Sequence, residues 1–150
     1  MLIILEGCDA TGKTTVANLL AKTYNAQVIH CTAETPNTIE FFREISYAAK
    51  HENIVADRFC YGQFVYQEEH ERPIVNIDGC RFSDSWNALY YLESSMLSHP
   101  VKLIYTYADA DVICSRMIKR GENPKDVDKI LKGYADLWKK TLIKPIIFKT

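Results

Sequence analysis

The first residues of this sequence with an evident chemical use form a glycine-bounded stretch, Gly7-Cys8-Asp9-Ala10-Thr11-Gly12-Lys13-Thr14. It fits the pattern G-x-x-x-x-G-K-[ST], the P-loop, in which loop amides and a helix N-terminus face a phosphate chain. Lys13 would then reach the β- and γ-phosphates, and the Thr14 hydroxyl would hold Mg²⁺. A chance match in a turn is the alternative, but an apolar run precedes the stretch and a helical pattern follows it, as the motif requires. The pattern therefore predicts an ATP site formed by Gly7, Asp9, Ala10, Thr11, Gly12, Lys13, Thr14 and Thr15.

A second chemical pair, Asp57 and Arg58, comes directly after the apolar run 53–56. If this run is a strand of a parallel sheet, both side chains lie at the carboxyl edge, where α/β proteins bind their ligands. Asp57 could there orient Mg²⁺-bound water, and Arg58 could bridge the donor and acceptor phosphates. The alternative is a solvated ion pair, which the position at a strand end disfavours.

A third group is cationic: Arg116 and Arg120 lie four residues apart, with Lys119 between them and a short turn after them. This spacing puts both guanidinium groups on one helix face. A mobile lid over about 116–125 would bring positive charge to a transferred phosphoryl group and exclude water. An ordinary basic helix C-terminus is the alternative. The sequence has no Asn-Lys-x-Asp motif and no strand ending in Asp-Glu, which argues against a GTPase switch or an ATPase motor.

The elements that must position these groups follow from the hydrophobic pattern. Short apolar runs predict strands at 2–5, 27–30, 53–56, 101–107 and 146–148. Between them, helical spacing predicts helices up to about 24, over 38–50, 59–68, from 83 or 84 to 97, over 109–120, and after a cap at Asn123-Pro124. Residues 69–82 are less regular, and they fit a small hairpin around Asp78-Gly79 or a plain surface loop. The alternation predicts an α/β P-loop NTPase fold, with a doubly wound five-stranded parallel sheet, flanking helices and a short lid.

Composition limits the class of protein. The 150 residues are expected to form one domain, and a net charge of −1 gives no support for a nucleic-acid-binding surface. The apolar runs are too short to span a bilayer, and a strand at the N-terminus leads us to expect no signal peptide. The five cysteines are an odd number and include no C-x-x-C pair, which predicts reduced thiols in the cytoplasm. A zinc site is the alternative, and no cysteine spacing supports it.

The three groups together resemble a known family. The stretch from Glu6 to Thr15 looks like the opening of thymidylate kinases, and Asp57 to Gln67 matches their D-R-x-x-x-[SG]-x-x-x-Y-Q block without a gap. The segment from Arg116 to Glu122 resembles their R-x-x-x-R-G-E lid. The short middle of the chain is similar to that of compact deoxynucleoside monophosphate kinases encoded by large phages.

The resemblance implies roles for individual residues. Asp9 would bind the 3′-hydroxyl of the acceptor, and Lys13 and Arg58 would clamp the transferred and acceptor phosphates. Lid residues Arg116 and Arg120 would supply catalytic charge. The acceptor base would contact Tyr66 and Gln67, with Phe42 stacking on it and Arg43 binding the acceptor.

The leading hypothesis is therefore ATP- and Mg²⁺-dependent transfer of the γ-phosphoryl group to a deoxynucleoside monophosphate, with dTMP as the expected acceptor. The nearest alternative is a deoxynucleoside kinase, which needs a carboxylate base for the 5′-hydroxyl, and Glu34 is the candidate. A non-catalytic nucleotide sensor is the alternative from another class. The resemblance also implies that the helix from Trp86 to Leu97 could form a homodimer. The net charge and the short apolar runs lead us to expect no nucleic-acid or membrane partner.

Overall fold

The computed structural model describes residues 1–32, 34–36, 38–70, 76–77, 80–81 and 86–150, and of residues 67–70, 76–77 and 80–81 it describes the backbone alone. In chain order, the elements are β1 (Leu2–Glu6), α1 (Lys13–Tyr24), β2 (Gln27–His30), α2 (Ile39–Ala48), β3 (Ile54–Asp57), α3 (Tyr61–His70), β4 (Asn76–Ile77), β5 (Cys80–Arg81), α4 (Trp86–Met96), β6 (Val101–Tyr107), α5 (Ala110–Lys119), α6 (Val127–Lys140) and β7 (Ile146–Lys149). Within these described ranges, no helix is long and apolar enough to cross a membrane.

The main sheet has five parallel strands in the order β2-β3-β1-β6-β7. The predicted five-stranded α/β fold is therefore confirmed. The register places Leu5 of β1 and His30 of β2 on either side of Asp57 in β3. Because all strands are parallel, their carboxyl ends share one edge, and the loops after β1, β2 and β3 meet there.

The central strands are buried on both faces, which explains why β1 reads as a continuous apolar run rather than an alternating one. Ile3 and Leu5 pack with Ala17 of α1 on one face. Leu2 and Ile4 point to the other face and join the larger core under the remaining helices. The position of α1 is thereby fixed, and with it the loop between β1 and α1.

Two local expectations have clear outcomes. The hairpin interpretation of 69–82 is confirmed, because β4 pairs antiparallel with β5, while the Asp78-Gly79 turn itself lies outside the described residues. The expected cap of the last helix at Asn123-Pro124 is wrong. The helix begins at Val127 after Asp126, whose φ of 57° is left-handed and keeps the preceding turn out of the helix.

A buried carboxylate ties α4 to the segment between α6 and β7. Glu93 is 1% exposed, and it accepts hydrogen bonds from the Tyr61 hydroxyl at 3.0 Å and from the amides of Leu142 and Ile143 at 2.8 and 3.1 Å. These three donors take the place of water around the Glu93 carboxylate. Removing the carboxylate would therefore leave the donors without their acceptor.

We predict that Glu93→Ala lowers the free energy of unfolding by about 3 kcal/mol, because three donors, two of them buried, lose their acceptor and a cavity forms. Urea titration followed by tryptophan fluorescence measures this change. The control is Ser94→Ala at the exposed neighbouring position, which should stay within about 0.5 kcal/mol of the parent. Equal stability of the two variants would contradict the structural role of Glu93.

Candidate active site

The loop after β1 takes a shape that its glycines permit. Gly7 has φ 146°, and a Cβ there would lie 2.3 Å from the carbonyl oxygen of Thr106. Gly12 has φ 78° and open space around it, and Ala10 between them is also left-handed at φ 59°. Thr11 is fully buried, and its hydroxyl bonds the Cys8 carbonyl at 2.7 Å and the Thr106 hydroxyl at 2.8 Å. The loop is thus anchored to β6 before α1 begins.

Lys13 starts α1 and folds back over the loop, where its Nζ donates to the Cys8 carbonyl at 2.6 Å. The residue is 6% exposed. Burial, together with the nearby charge of Arg58, lowers the pKa of Lys13 to about 8. The loop therefore holds a destabilised cation beside the first amides of a helix, an arrangement that an anionic phosphate would stabilise.

Thr14, Asp57 and His30 form a connected group at the sheet edge. Asp57 Oδ2 accepts the Thr14 hydroxyl at 2.7 Å and His30 Nδ1 at 2.8 Å. Asp57 Oδ1 is buried and has no hydrogen-bond partner among the residues that the structure describes. A hydroxyl oxygen and an unpaired carboxylate oxygen are ligands that Mg²⁺ prefers, so the predicted pair Thr14 and Asp57 fits a magnesium ion.

Arg58 forms an ion pair with Asp9, a residue of the same loop that Lys13 contacts. Its guanidinium carbon lies 5.7 Å from the centre of the Tyr66 ring. Burial opposes its charge, but the Asp9 carboxylate outweighs that effect and raises the pKa of Arg58. Arg58 itself has φ 71°, a left-handed conformation that lies in the turn between β3 and α3. Asp9 and the pair Arg58 and Tyr66, predicted from two separate matches, are thus brought together.

Glu6 and Tyr134, to which the sequence analysis gave no role, stabilise the segment that follows Arg58. Glu6 is fully buried and accepts the amides of Phe59 at 2.9 Å and Gly62 at 3.2 Å. The Tyr134 hydroxyl donates to the same carboxylate at 3.1 Å. Burial raises the pKa of Glu6, against the lowering effect of Arg58 and these donors. The sequence signal for Glu6 was an acidic residue at the end of an apolar strand. Its hydrogen-bond partners could not be predicted, because they come from the start of α3 and from α6.

The two arginines of the predicted lid have different surroundings. Arg116 donates to the Ala10 carbonyl at 3.3 Å and to the Thr150 hydroxyl at 3.0 Å, so it braces the loop and the end of β7. Arg120 ends α5 with its side chain exposed. Lys125 and Asn123, to which the sequence analysis gave no binding role, line a cavity of about 330 Å³ together with Cys8, Asp9 and Tyr66.

The predicted acceptor residues divide into two groups. Tyr66 and Arg58 line a small cavity with Cys31, Thr32 and Gln63, next to Asp9. The backbone of Gln67 lies in α3, and its side chain lies outside the described part.

Phe42 and Arg43 have other surroundings. Phe42 is 1% exposed and packs on Phe59 with ring centres 4.7 Å apart. Arg43 lies 5.7 Å from the Tyr91 ring and lines a cavity of about 450 Å³ beside α2 and α4. These two residues have different surroundings because the apolar stripe of α2 faces the core. Phe42 lies in that stripe, and Arg43 lies outside it. Their acceptor roles stay predictions without contacts that favour them.

The chain is similar in sequence and in structure to a bacterial prophage protein. The SPbeta prophage-derived uncharacterized protein YorR of Bacillus subtilis (strain 168) is 29% identical over 143 residues, which are 91% of this chain and 81% of YorR. A crystal structure of YorR in complex with phosphorylated GDP has a TM-score of 0.82 and 26% identity, over 99% of this chain and 85% of that one.

Two nucleotide kinases share the fold at lower identity. Deoxyadenosine kinase from M. mycoides with bound dCTP has a TM-score of 0.59 at 16% identity. This match covers 100% of this chain and 89% of the kinase. Thymidylate kinase from Ehrlichia chaffeensis has a TM-score of 0.54 at 19% identity, and the match covers 99% of this chain and 86% of that kinase. The expected P-loop kinase fold is confirmed, whereas thymidylate specificity stays a prediction. Finally, the family described as chromatin-associated protein KTI12 matches residues 1–149, and the chain therefore belongs to the KTI12 family, with the fold of the P-loop nucleotide kinases.

Proposed function

We propose that this protein transfers the γ-phosphoryl group of ATP to a deoxynucleoside monophosphate, with dTMP as the first acceptor to test. The observation that carries the proposal is the proximity of Lys13 and Arg58. They come from different segments, yet both contact the loop after β1: Lys13 Nζ donates to the Cys8 carbonyl at 2.6 Å, and Arg58 pairs with the Asp9 carboxylate next to it. The charge of Arg58 accordingly lowers the pKa of Lys13. Two converging cations suit a reaction in which negative charge moves from one phosphate to another.

The residues of the site have separable tasks in this reaction. The loop amides and Lys13 bind the β- and γ-phosphates, and Arg58 leaves Asp9 to bind the acceptor phosphate with its two-pronged guanidinium group. Asp9 is then free to accept a hydrogen bond from the 3′-hydroxyl of the acceptor sugar. Thr14 and Asp57 would hold Mg²⁺, which would supply positive charge to the triphosphate.

The lid supplies further positive charge in this proposal. Lys125 lines the cavity that Cys8 and Asp9 share, whereas Arg116 contacts the loop through the Ala10 carbonyl. Movement of 116–125 toward the loop would bring Arg116, Arg120 and Lys125 to the phosphates and exclude water.

The relatives support nucleotide chemistry but leave the base open. YorR was crystallised with phosphorylated GDP, so guanine nucleotides belong in any test of this chain as donors and as acceptors. The choice of dTMP rests on the resemblance of the Asp57–Gln67 block. A monophosphate acceptor is already ionised and needs little base catalysis, which suits a site whose catalytic groups are cations.

A direct test supplies [γ-³²P]ATP and Mg²⁺ with each of the common deoxy- and ribonucleoside monophosphates and, separately, with the nucleosides. We expect labelled nucleoside diphosphate from at least one deoxynucleoside monophosphate. Label on a nucleoside but on no monophosphate would favour a deoxynucleoside kinase. Tight ATP binding without any transfer would favour a nucleotide sensor.

In the same assay, we predict that Arg58→Lys lowers kcat/KM for the acceptor by about 100-fold, because a lysine cannot make the paired contact of a guanidinium group. The control is Lys22→Gln, which removes an exposed charge from the last turn of α1. It should stay within about twofold of the parent, as surface substitutions do. An unchanged kcat/KM for Arg58→Lys would remove Arg58 from the reaction.

A further inference from the structure

The carboxylate of Asp57 has two unequal oxygens. Oδ2 accepts two hydrogen bonds, from Thr14 at 2.7 Å and from His30 at 2.8 Å. Oδ1 is buried and has no hydrogen-bond partner in the part of the chain that the structure describes. A buried carboxylate oxygen without a partner is costly unless a ligand completes it. Oδ1 is therefore the oxygen that the group presents to an incoming ligand.

The contact with His30 is not a by-product of core packing. His30 is the last residue of the edge strand β2, directly opposite Asp57 in the register, and its side chain is 53% exposed. A side chain so exposed gains little from burial, so the bond to Asp57 is what fixes its position. Because an ionised carboxylate can only accept, Nδ1 must carry the proton in this bond.

We propose that His30 is a positioning residue for the divalent cation of the nucleotide site. By donating to Oδ2, it fixes the rotation of the Asp57 carboxylate, so that Oδ1 faces the cation that Thr14 also holds. Hydrogen bonds of this kind typically contribute 10- to 100-fold to metal affinity by orienting the ligand. The inference rests on the proposed function in one respect, that a divalent cation accompanies the nucleoside triphosphate.

The chain permits a matched pair of variants. Asparagine can place its side-chain amide N–H close to the position of Nδ1, so His30→Asn should keep the donor, whereas His30→Phe keeps the ring shape and loses it. The control is His51→Phe at an exposed position that contacts the Tyr47 ring.

The experiment measures the Kd of a non-hydrolysable ATP analogue by calorimetry, once with EDTA and once with saturating Mg²⁺. The ratio of the two constants reports the coupling between cation and nucleotide, and the binding of Mg²⁺ by the free analogue is the same for every variant. We expect the ratio to fall about tenfold in His30→Phe and to stay within about threefold in His30→Asn and His51→Phe. The affinity in EDTA should not change in any of them.

Three results would overturn the proposal: an unchanged ratio in His30→Phe, an equal loss in His30→Asn, or a loss of the same size in EDTA, which would indicate general damage. Failure to bind the analogue with Mg²⁺ in the parent protein would also overturn it. The proposed phosphotransfer is tested separately by the labelled-ATP assay. A parent that binds the analogue and shows the His30 effect but transfers no label would refute the kinase and not the role of His30.

Discussion

Replacing Lys13 with methionine should abolish nucleotide phosphorylation and at the same time stabilise the free protein. The loss of activity follows from removing the charge that binds the transferred phosphate, and we expect a fall in kcat of at least about 10³-fold. The gain in stability follows from the same charge, because Lys13 is buried and its pKa is lowered to about 8.

The size and pH dependence of this gain can be worked out. A pKa lowered from 10.5 to about 8 corresponds to about 3 kcal/mol of instability in the charged folded state, since one pKa unit is about 1.4 kcal/mol. The lost hydrogen bond to the Cys8 carbonyl offsets about 1 kcal/mol, although that oxygen keeps the Thr11 hydroxyl as a donor. We therefore expect Lys13→Met to raise the free energy of unfolding by about 2 kcal/mol.

The sign of the pH dependence is fixed by the direction of the shift. Below pH 8, Lys13 is charged in both the folded and the unfolded chain, and its cost is fully present. Between pH 8 and 10.5, the folded protein releases its proton first, and the cost is relieved. The stability difference between Lys13→Met and the parent should therefore be greatest below pH 8 and shrink across this range.

Urea titrations at several pH values, without nucleotide, measure the effect. The matched control is Lys22→Met in the same helix, at an exposed position, which should change stability by less than about 0.5 kcal/mol at every pH. A Lys13→Met protein that is active, or less stable than the parent at neutral pH, would contradict the assignment of a strained phosphate-binding lysine.

The second large effect is expected at Gly7. Gly7→Ala should lower the free energy of unfolding by about 4 kcal/mol or more, because its Cβ would lie 2.3 Å from the Thr106 carbonyl oxygen and 2.6 Å from the Thr106 hydroxyl. The left-handed φ of 146° adds backbone strain of about 1 kcal/mol or more. Because the nearer contact is with a backbone atom, adding Thr106→Ala should not restore stability.

Two glycines with open surroundings separate the steric cost from the conformational one. Gly12 and Gly121 have φ 78° and 74°, and a Cβ at either would meet nothing within 4 Å. Gly12→Ala and Gly121→Ala should therefore lose only about 1 to 2 kcal/mol. Similar losses at all three glycines, measured by urea titration, would mean that β1 and β6 do not hold the loop as closely as described.

Comparison of sequence and structure shows which features were predictable. The continuous apolar runs identified β1 and β6, and the spacing around Gly7 and Lys13 identified the loop, because each depends on local residue types. The apolar run before Asp57 correctly predicted its place at the carboxyl edge of the parallel sheet. These features need no knowledge of distant contacts.

What sequence reasoning missed depends on contacts between distant segments. His30 reaches Asp57 only because β2 pairs with β3, and Tyr134 reaches Glu6 from α6, far along the chain. The base-stacking role of Phe42 stays a prediction, although the apolar stripe that predicted α2 also places this residue on the inward face. A stripe that predicts a helix also fixes which of its residues face the core, and that criterion disfavours Phe42 as a ligand-binding residue.

The most direct test of the account is a crystal structure with Mg²⁺ and a bisubstrate analogue in which adenosine and thymidine are joined by five phosphates. The account predicts that the phosphate chain lies in the loop from Gly7 to Thr14, with Lys13 on the donor side. It further predicts that Arg58 has left Asp9 for the acceptor-side phosphate. Phosphates bound outside the loop, or Arg58 still paired with Asp9 and away from the chain, would contradict a phosphotransferase.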